Sequence, residues 1–138
     1  MICRRIAMWS GPRNLSTAMM YAFAQRADCA VIDEPFYGVY LDRTGIDHPM
    51  RAEILAAMPR DADAVARAMA TAAPAPVFYQ KHMCQHMIPG VPRGWMSGVT
   101  NVFLIRHPAR VIASFAKEMP ELTDRDIGFS LQAELYDL

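Results

Sequence analysis

The chain has 138 residues, 53% of them hydrophobic and 20% charged, with three cysteines and a formal net charge of zero. That composition describes a folded globular chain of about one domain, large enough for a real core, and excludes a disordered one. A zero net charge removes the basic field that would draw nucleic acid or an anionic membrane surface, so anion binding has to come from local placement.

Taken in order, Ile6-Ala7-Met8-Trp9 reads as an apolar strand and Ser10-Gly11-Pro12-Arg13-Asn14 as a tight polar turn. A helix opens at Leu15-Ser16-Thr17 and runs to about Gln25. A strand that turns sharply into a helix aims unpaired backbone N–H groups and the positive end of the helix dipole at one point. Arg13 adds a fixed cation there, and Ser16 and Thr17 add hydroxyls. Phosphate or sulfate suits such a cradle; an ordinary capped strand–helix connection is the alternative reading. No apolar run has signal-peptide or transmembrane length, because residues 10–13 interrupt the N-terminal one. Three scattered cysteines predict a reducing, cytoplasmic setting.

Cys29-Ala30-Val31-Ile32 predicts a second strand, ending in the carboxylates Asp33 and Glu34. The aromatic segment Phe36 to Leu41 reads as a strand or an irregular wall, followed by a turn at Asp42-Arg43-Thr44-Gly45. His48-Pro49 predicts a helix start with proline at the first helical position, and Arg51 to Met58 its body. Asp61 to Thr71 is alanine-rich, with apolar residues at helical spacing. Val77-Phe78-Tyr79-Gln80 predicts a third strand leading into Lys81-His82-Met83, and Pro89 to Gly98 a loop. Thr100 to Ile105 reads as the clearest buried strand, running through Arg106-His107-Pro108 into a helix from about Ala109 to Glu118. Thr123, with Asp126 three residues on, predicts the cap of a last helix over Asp124 to Tyr136.

Strands alternating with helices at this spacing predict an α/β fold, a doubly wound parallel sheet flanked by helices. Ligands in such sheets sit at the carboxyl ends of strands. Arg13, Glu34, His82 and Arg106 each follow one of the four predicted strands, which makes them candidate site residues. Cys84 lies two residues from both His82 and His86, but no second ligand cluster accompanies it, so no metal is expected. His48 and His107 read as cap or turn residues. Arg106 and Ser114, eight positions apart, can share an anion if the intervening loop folds back. A helix carboxylate for Arg106 and a helix–sheet contact for Ser114 are the structural alternatives.

Two segments carry a resemblance. Ser10-Gly11-Pro12-Arg13-Asn14-Leu15-Ser16-Thr17 resembles the 5′-phosphosulfate-binding loop of the P-loop sulfotransferases, a non-Walker relative of the P-loop that typically reads Tyr-Pro-Lys-Ser-Gly-Thr-Thr. Phe103-Leu104-Ile105-Arg106-His107-Pro108 through Ser114 is similar to their 3′-phosphate-binding segment, where an Arg and a Ser eight positions on hold the nucleotide. The two occur in the family's order, roughly ninety residues apart. The resemblance, closest to bacterial members, implies a P-loop NTPase-like fold. It also implies sulfuryl transfer from 3′-phosphoadenylyl sulfate (PAPS) to a hydroxyl or amine of a small-molecule acceptor, without metal, nucleic acid or membrane.

Carried over, Arg13 stands where the family usually has Lys and would meet the 5′-phosphosulfate; a planar fork replaces a point charge. Asn14, Leu15, Ser16 and Thr17 complete the loop, and Arg106 and Ser114 hold the 3′-phosphate. The family's base is a His just after the third strand, which corresponds to His82, with His86 as second choice, or a Glu at an early strand end, which corresponds to Glu34. Phe36 to Tyr40, Met83, Met87 and Met96 are candidates for an acceptor pocket. The family's C-terminal glycine-rich basic loop has no counterpart after Ser114. Residues 1–138 therefore read as a single, incomplete sulfotransferase-like P-loop domain. A non-catalytic or truncated nucleotide-binding module, or a P-loop kinase relative, stays open beside the enzyme.

Overall fold

The computed structural model describes residues 2–119 and 121–138. Four strands, β1 (Arg4–Ser10), β2 (Cys29–Asp33), β3 (Val77–Met83) and β4 (Thr100–Phe103), form one sheet in the order β2-β3-β1-β4. Every pairing is parallel. The chain leaves β1 toward β2 on one side and leaves β3 toward β4 on the other. The switch point of the doubly wound sheet is therefore the crevice beyond the carboxyl ends of β1 and β3.

Side-chain alternation along β1 builds two cores. Met8 and its neighbour Tyr79 pack under α1 (Ser16–Ala24) with Met20 and Phe23. Ala7 and Trp9 face the larger core, which holds Val39 of α2 (Tyr37–Thr44) and Val65 and Met69 of α4 (Ala62–Thr71), together with Trp95 and Leu135. Between α2 and α4 lies α3 (Arg51–Ala57). After β4 come α5 (Pro108–Phe115), α6 (Asp124–Ile127) and α7 (Phe129–Tyr136).

The fold class is the expected one, and six local expectations are corrected. Phe36 to Leu41 is neither strand nor irregular wall: it opens α2, in which Val39, Tyr40 and Leu41 are buried. β-prone residues become helical here because Pro35 cannot continue a strand ladder and the Tyr37 N–H turns back to the Glu34 carbonyl at 3.0 Å. The expected Asp42-Arg43-Thr44 turn is this helix's last turn. Pro49 precedes α3 by two residues instead of standing first in it, since Met50 takes a left-handed conformation at the boundary.

β3 runs three residues further than expected, through Lys81, His82 and Met83. Its polar residues look like a strand end, yet both flanks pair: Trp9 lies opposite His82 and Asp33 opposite Lys81. β4 is shorter than expected and not buried: it pairs only with β1, and Ile105 beyond it is 86% exposed. The last helix breaks at Gly128 (φ +75°), where an added Cβ would lie 3.1 Å from the Gln85 backbone nitrogen. Its start is as expected: the Thr123 N–H and hydroxyl both donate to the Asp126 carboxylate, at 2.9 and 2.7 Å.

The end of α6 braces the turn after β1. A Cβ on Gly11 would sit 2.8 Å from the Ile127 carbonyl oxygen, a contact that only glycine permits. Gly11→Ala is expected to lower stability by about 1–3 kcal/mol through this backbone overlap, read as a reduced thermal midpoint of the full chain.

Candidate anion-binding and active site

Beyond Ser10 the chain makes a turn in which Arg13 (φ +63°) and Leu15 (φ +58°) both take left-handed conformations. Neither is glycine, so the turn stores local strain of the kind found at ligand clamps. The Asn14 amide closes it by donating to the carbonyls of Gly11 (3.1 Å) and Pro12 (2.9 Å). α1 starts immediately after this turn, so the unpaired N–H groups of its first turn open at the same end. Leu15 is left 80% exposed at the mouth, while Ser16 is buried beneath it.

β4 delivers the second segment. Trp9 accepts the Leu104 N–H at 2.8 Å, extending the sheet by one bond before Arg106 turns back over the loop. Pro108 begins α5, and the His107 ring caps it by accepting the Ala109 N–H at 3.2 Å, the capping role expected of it. Arg106 Nη1 donates to the Arg13 carbonyl at 2.7 Å, and Arg13 Nε donates to Ser114 Oγ at 2.9 Å. Residues 93 and 101 positions apart are thus in direct contact. A cavity of about 360 Å³ is lined by Arg13, Asn14, Leu15, Ser16, Thr17, Ala18, Arg106 and Ser114. All seven loop and segment residues singled out for nucleotide binding line it, and no carboxylate does. Glu118, one turn beyond Ser114, pairs with Arg13 Nη1 at 3.1 Å from outside this lining; its sequence context carries no signal for that contact.

Neither candidate base, His82 nor Glu34, lines this cavity, and the two sit in different surroundings. The structure does not bring His82 to the cavity. Lying within β3, it is 2% exposed and stacks on Trp9 at 4.5 Å between ring centroids, with Trp95 and Phe36 closing around it. Gln80 donates its amide to the Met69 carbonyl at 2.8 Å, so its oxygen accepts from His82 Nε2 at 3.0 Å. That fixes the tautomer with the proton on Nε2. Burial, and more weakly His86, push the His82 pKa down to about 3. His86, the second choice, is also buried and lowered to about 3, by burial and then by His48 and Lys81. Its Nδ1 has no partner, and its ring stacks between Tyr37 and Tyr40.

Glu34 follows β2 in a left-handed conformation (φ +48°) and is part-buried. Its oxygen lies 3.7 Å from Lys81 Nζ, which also meets Asp33 at 2.9 Å. Burial raises the Glu34 pKa while the Lys81 charge opposes the rise. A carboxylate moved toward neutrality and left partly open suits proton transfer. Lys81, 6% exposed at its side chain, is the ionic hub of this edge. The signal for it was present: a lysine between β-forming residues must be paired if the strand is buried.

Tyr37 faces the same region, its hydroxyl 2.8 Å from His48 Nδ1. Among the suggested acceptor-pocket residues, Phe36, Met83, Met87 and Met96 are core residues. Burial raises the Cys84 thiol to about 12, leaving it unreactive. Among the described residues no group of three or more His, Cys, Asp or Glu side chains is placed to hold a metal, and no helix is long and apolar enough to cross a membrane.

The two buried imidazoles impose a pH dependence. Both titrate near 3 in the fold against an ordinary 6.5, so below 6.5 the unfolded chain binds more protons. Their contribution is fully present above pH 6.5 and is lost as pH falls toward 3. Urea midpoints are expected to drop across that window with an uptake approaching two protons, and His82→Gln is expected to remove about one of them.

The model of a sulfotransferase domain family matches residues 4–138. Two Arabidopsis thaliana proteins named branched-chain-amino-acid aminotransferase-like protein 1 and protein 2 are each 39% identical to the chain, over 116 and 133 residues. These matches cover 83% and 95% of this chain but 21% and 23% of those proteins, so the chain spans less than a quarter of the length of the curated relatives it matches. With the Ser10–Thr17 and Arg106–Ser114 segments converging on one cavity at the carboxyl rim of a parallel sheet, and the family match running across them both, the chain belongs to the sulfotransferase domain family.

Proposed function

We propose that the chain transfers a sulfuryl group from PAPS to a hydroxyl or amine of a small molecule. The observation that carries this reading is the 360 Å³ cavity in which Arg13, Ser16 and Thr17 of one segment face Arg106 and Ser114 of the other. A nucleotide with phosphates at both ribose ends needs two cationic grips on one side of the sheet. The two arginines supply them, and the unpaired N–H groups at the start of α1 supply neutral donors. No carboxylate is among the residues that line the cavity, as an anion requires.

The residues then divide the work. Arg106 and Ser114 hold the 3′-phosphate, while Asn14, Leu15, Ser16 and Thr17 hold the 5′-phosphate through side chains and backbone. Arg13 reaches the sulfonate end. In the displacement the acceptor oxygen or nitrogen forms a bond to sulfur as the bond from sulfur to the bridging phosphate oxygen breaks. Arg13 stabilises the negative charge left on that oxygen. Glu34, the raised and accessible carboxylate, takes the acceptor's proton; His82, enclosed by aromatic rings and proton-bearing at Nε2, holds the core beneath it. No metal is needed for any of these steps, because the charge that develops is met by guanidinium. The aminotransferase in the relatives' names belongs to proteins several times longer and is not carried over.

Calorimetric titration with adenosine 3′,5′-bisphosphate, against ATP and free sulfate, tests the binding. Tight binding of the bisphosphate with weak competition by ATP is expected; preference for ATP would favour a kinase relative. Arg106→Ala is expected to weaken bisphosphate binding by about 10- to 100-fold, the value of charged hydrogen bonds to one phosphate. Unchanged affinity in a folded variant would overturn the assignment. Glu34→Gln is expected to lower turnover of PAPS by about 10²- to 10⁴-fold with bisphosphate affinity retained. Binding without turnover in the unaltered chain would leave a nucleotide-binding module.

A further inference from the structure

The cation that would meet the transferred group is already engaged inside the chain. Arg13 Nη1 pairs with Glu118 Oε1 at 3.1 Å, and Arg13 Nε donates to Ser114 Oγ at 2.9 Å. Ser114 and Glu118 are one helical turn apart, and the turn after α5 is held by the Glu118 N–H donating to the Phe115 carbonyl at 3.0 Å. Both groups therefore approach Arg13 from the same side. Arg106 secures the other face of the loop through the Arg13 carbonyl. A carboxylate on a guanidinium uses the same planar donor fork that a phosphate or sulfate ester uses.

We propose that Glu118 is an internal competitor for the anion seat. Its carboxylate holds the Arg13 guanidinium against α5 when no donor is bound, and a phosphate or sulfate ester has to displace it to engage Arg13. This rests on the anion-site reading above and adds to it the residue that sets the site's resting affinity. The pair's exposure decides how strong the latch is. With side chains 41% and 60% exposed, Arg13 and Glu118 attract each other weakly and under salt screening, so the contact opens readily instead of blocking the site. An anionic ligand also meets direct repulsion from Glu118 while that carboxylate stays in place. Removing the charge removes both effects.

The test titrates adenosine 3′,5′-bisphosphate, and separately inorganic pyrophosphate, into the full chain, Glu118→Gln, Arg13→Ala and the double variant. Glu118→Gln is expected to bind the bisphosphate about two- to sixfold more tightly at low salt, with the gain shrinking as salt rises. In the Arg13→Ala background the gain should shrink to the part that relief of direct repulsion supplies, whereas a general effect of lost negative charge would persist in full. Glu118→Ala should reproduce the gain, separating it from any property of glutamine. Equal bisphosphate affinity with and without Glu118 overturns the latch and leaves the donor-binding reading standing. A gain for pyrophosphate with no bisphosphate binding supports the latch and overturns the donor. No binding of either anion by any form overturns both.

Discussion

β1 is paired in parallel on both edges, to β3 along its whole length and to β4 along its second half, and most of the molecule follows from that constraint. A strand enclosed in this way must present apolar side chains to both faces, as Ile6, Ala7, Met8 and Trp9 do. Its backbone groups are consumed by neighbours until Ser10, so the first backbone free to bind anything else lies in the turn that follows. Parallel neighbours also align every strand's carboxyl end at the same rim of the sheet. The turn from residue 10 to 15 is thereby placed beside the exit of β4, and two segments far apart in sequence share one cavity without a dedicated scaffold.

The polar residues inside the sheet show how much this arrangement depends on pairing each one. Gln80 bridges a core carbonyl and His82, and the imidazole stays neutral among three aromatic rings. Lys81, next along the strand, points to the other face and is ion-paired with Asp33 and Glu34 at the neighbouring strand end. Neighbouring residues of one strand thus carry opposite solutions to the same desolvation problem: neutralisation for one, ion pairing for the other. Glu34 is shaped by that choice, since the lysine that satisfies the edge also limits how far burial raises its carboxyl group.

Using arginine at both cationic positions has a consequence for the chemistry. A guanidinium offers a flat fork to oxygen pairs, which supports the oxyanion reading proposed for the cavity that Arg13 and Arg106 line. The same fork pairs with a carboxylate, as Arg13 does with Glu118 at 3.1 Å. Membership of the sulfotransferase domain family fits a site in which the charge to be stabilised sits on an oxygen leaving sulfur.

Much of this was legible from residue order alone. Apolar runs of strand length, the Ser10–Thr17 turn and the Arg106–Ser114 segment are local patterns, and local patterns survive into the fold because backbone propensity and burial agree there. They sufficed for the α/β class, the strand–helix junctions and the residues that line the shared cavity. What tertiary structure decided was which strands have two neighbours. That is why β3 continues through three polar residues and encloses His82, why the apolar stretch at β4 ends as an exposed edge, and why Phe36 to Leu41 winds into a helix against the core. Burial depends on partners distant in the chain, so neither the protonation state of His82 nor the Arg13–Glu118 contact is written in any short stretch of sequence.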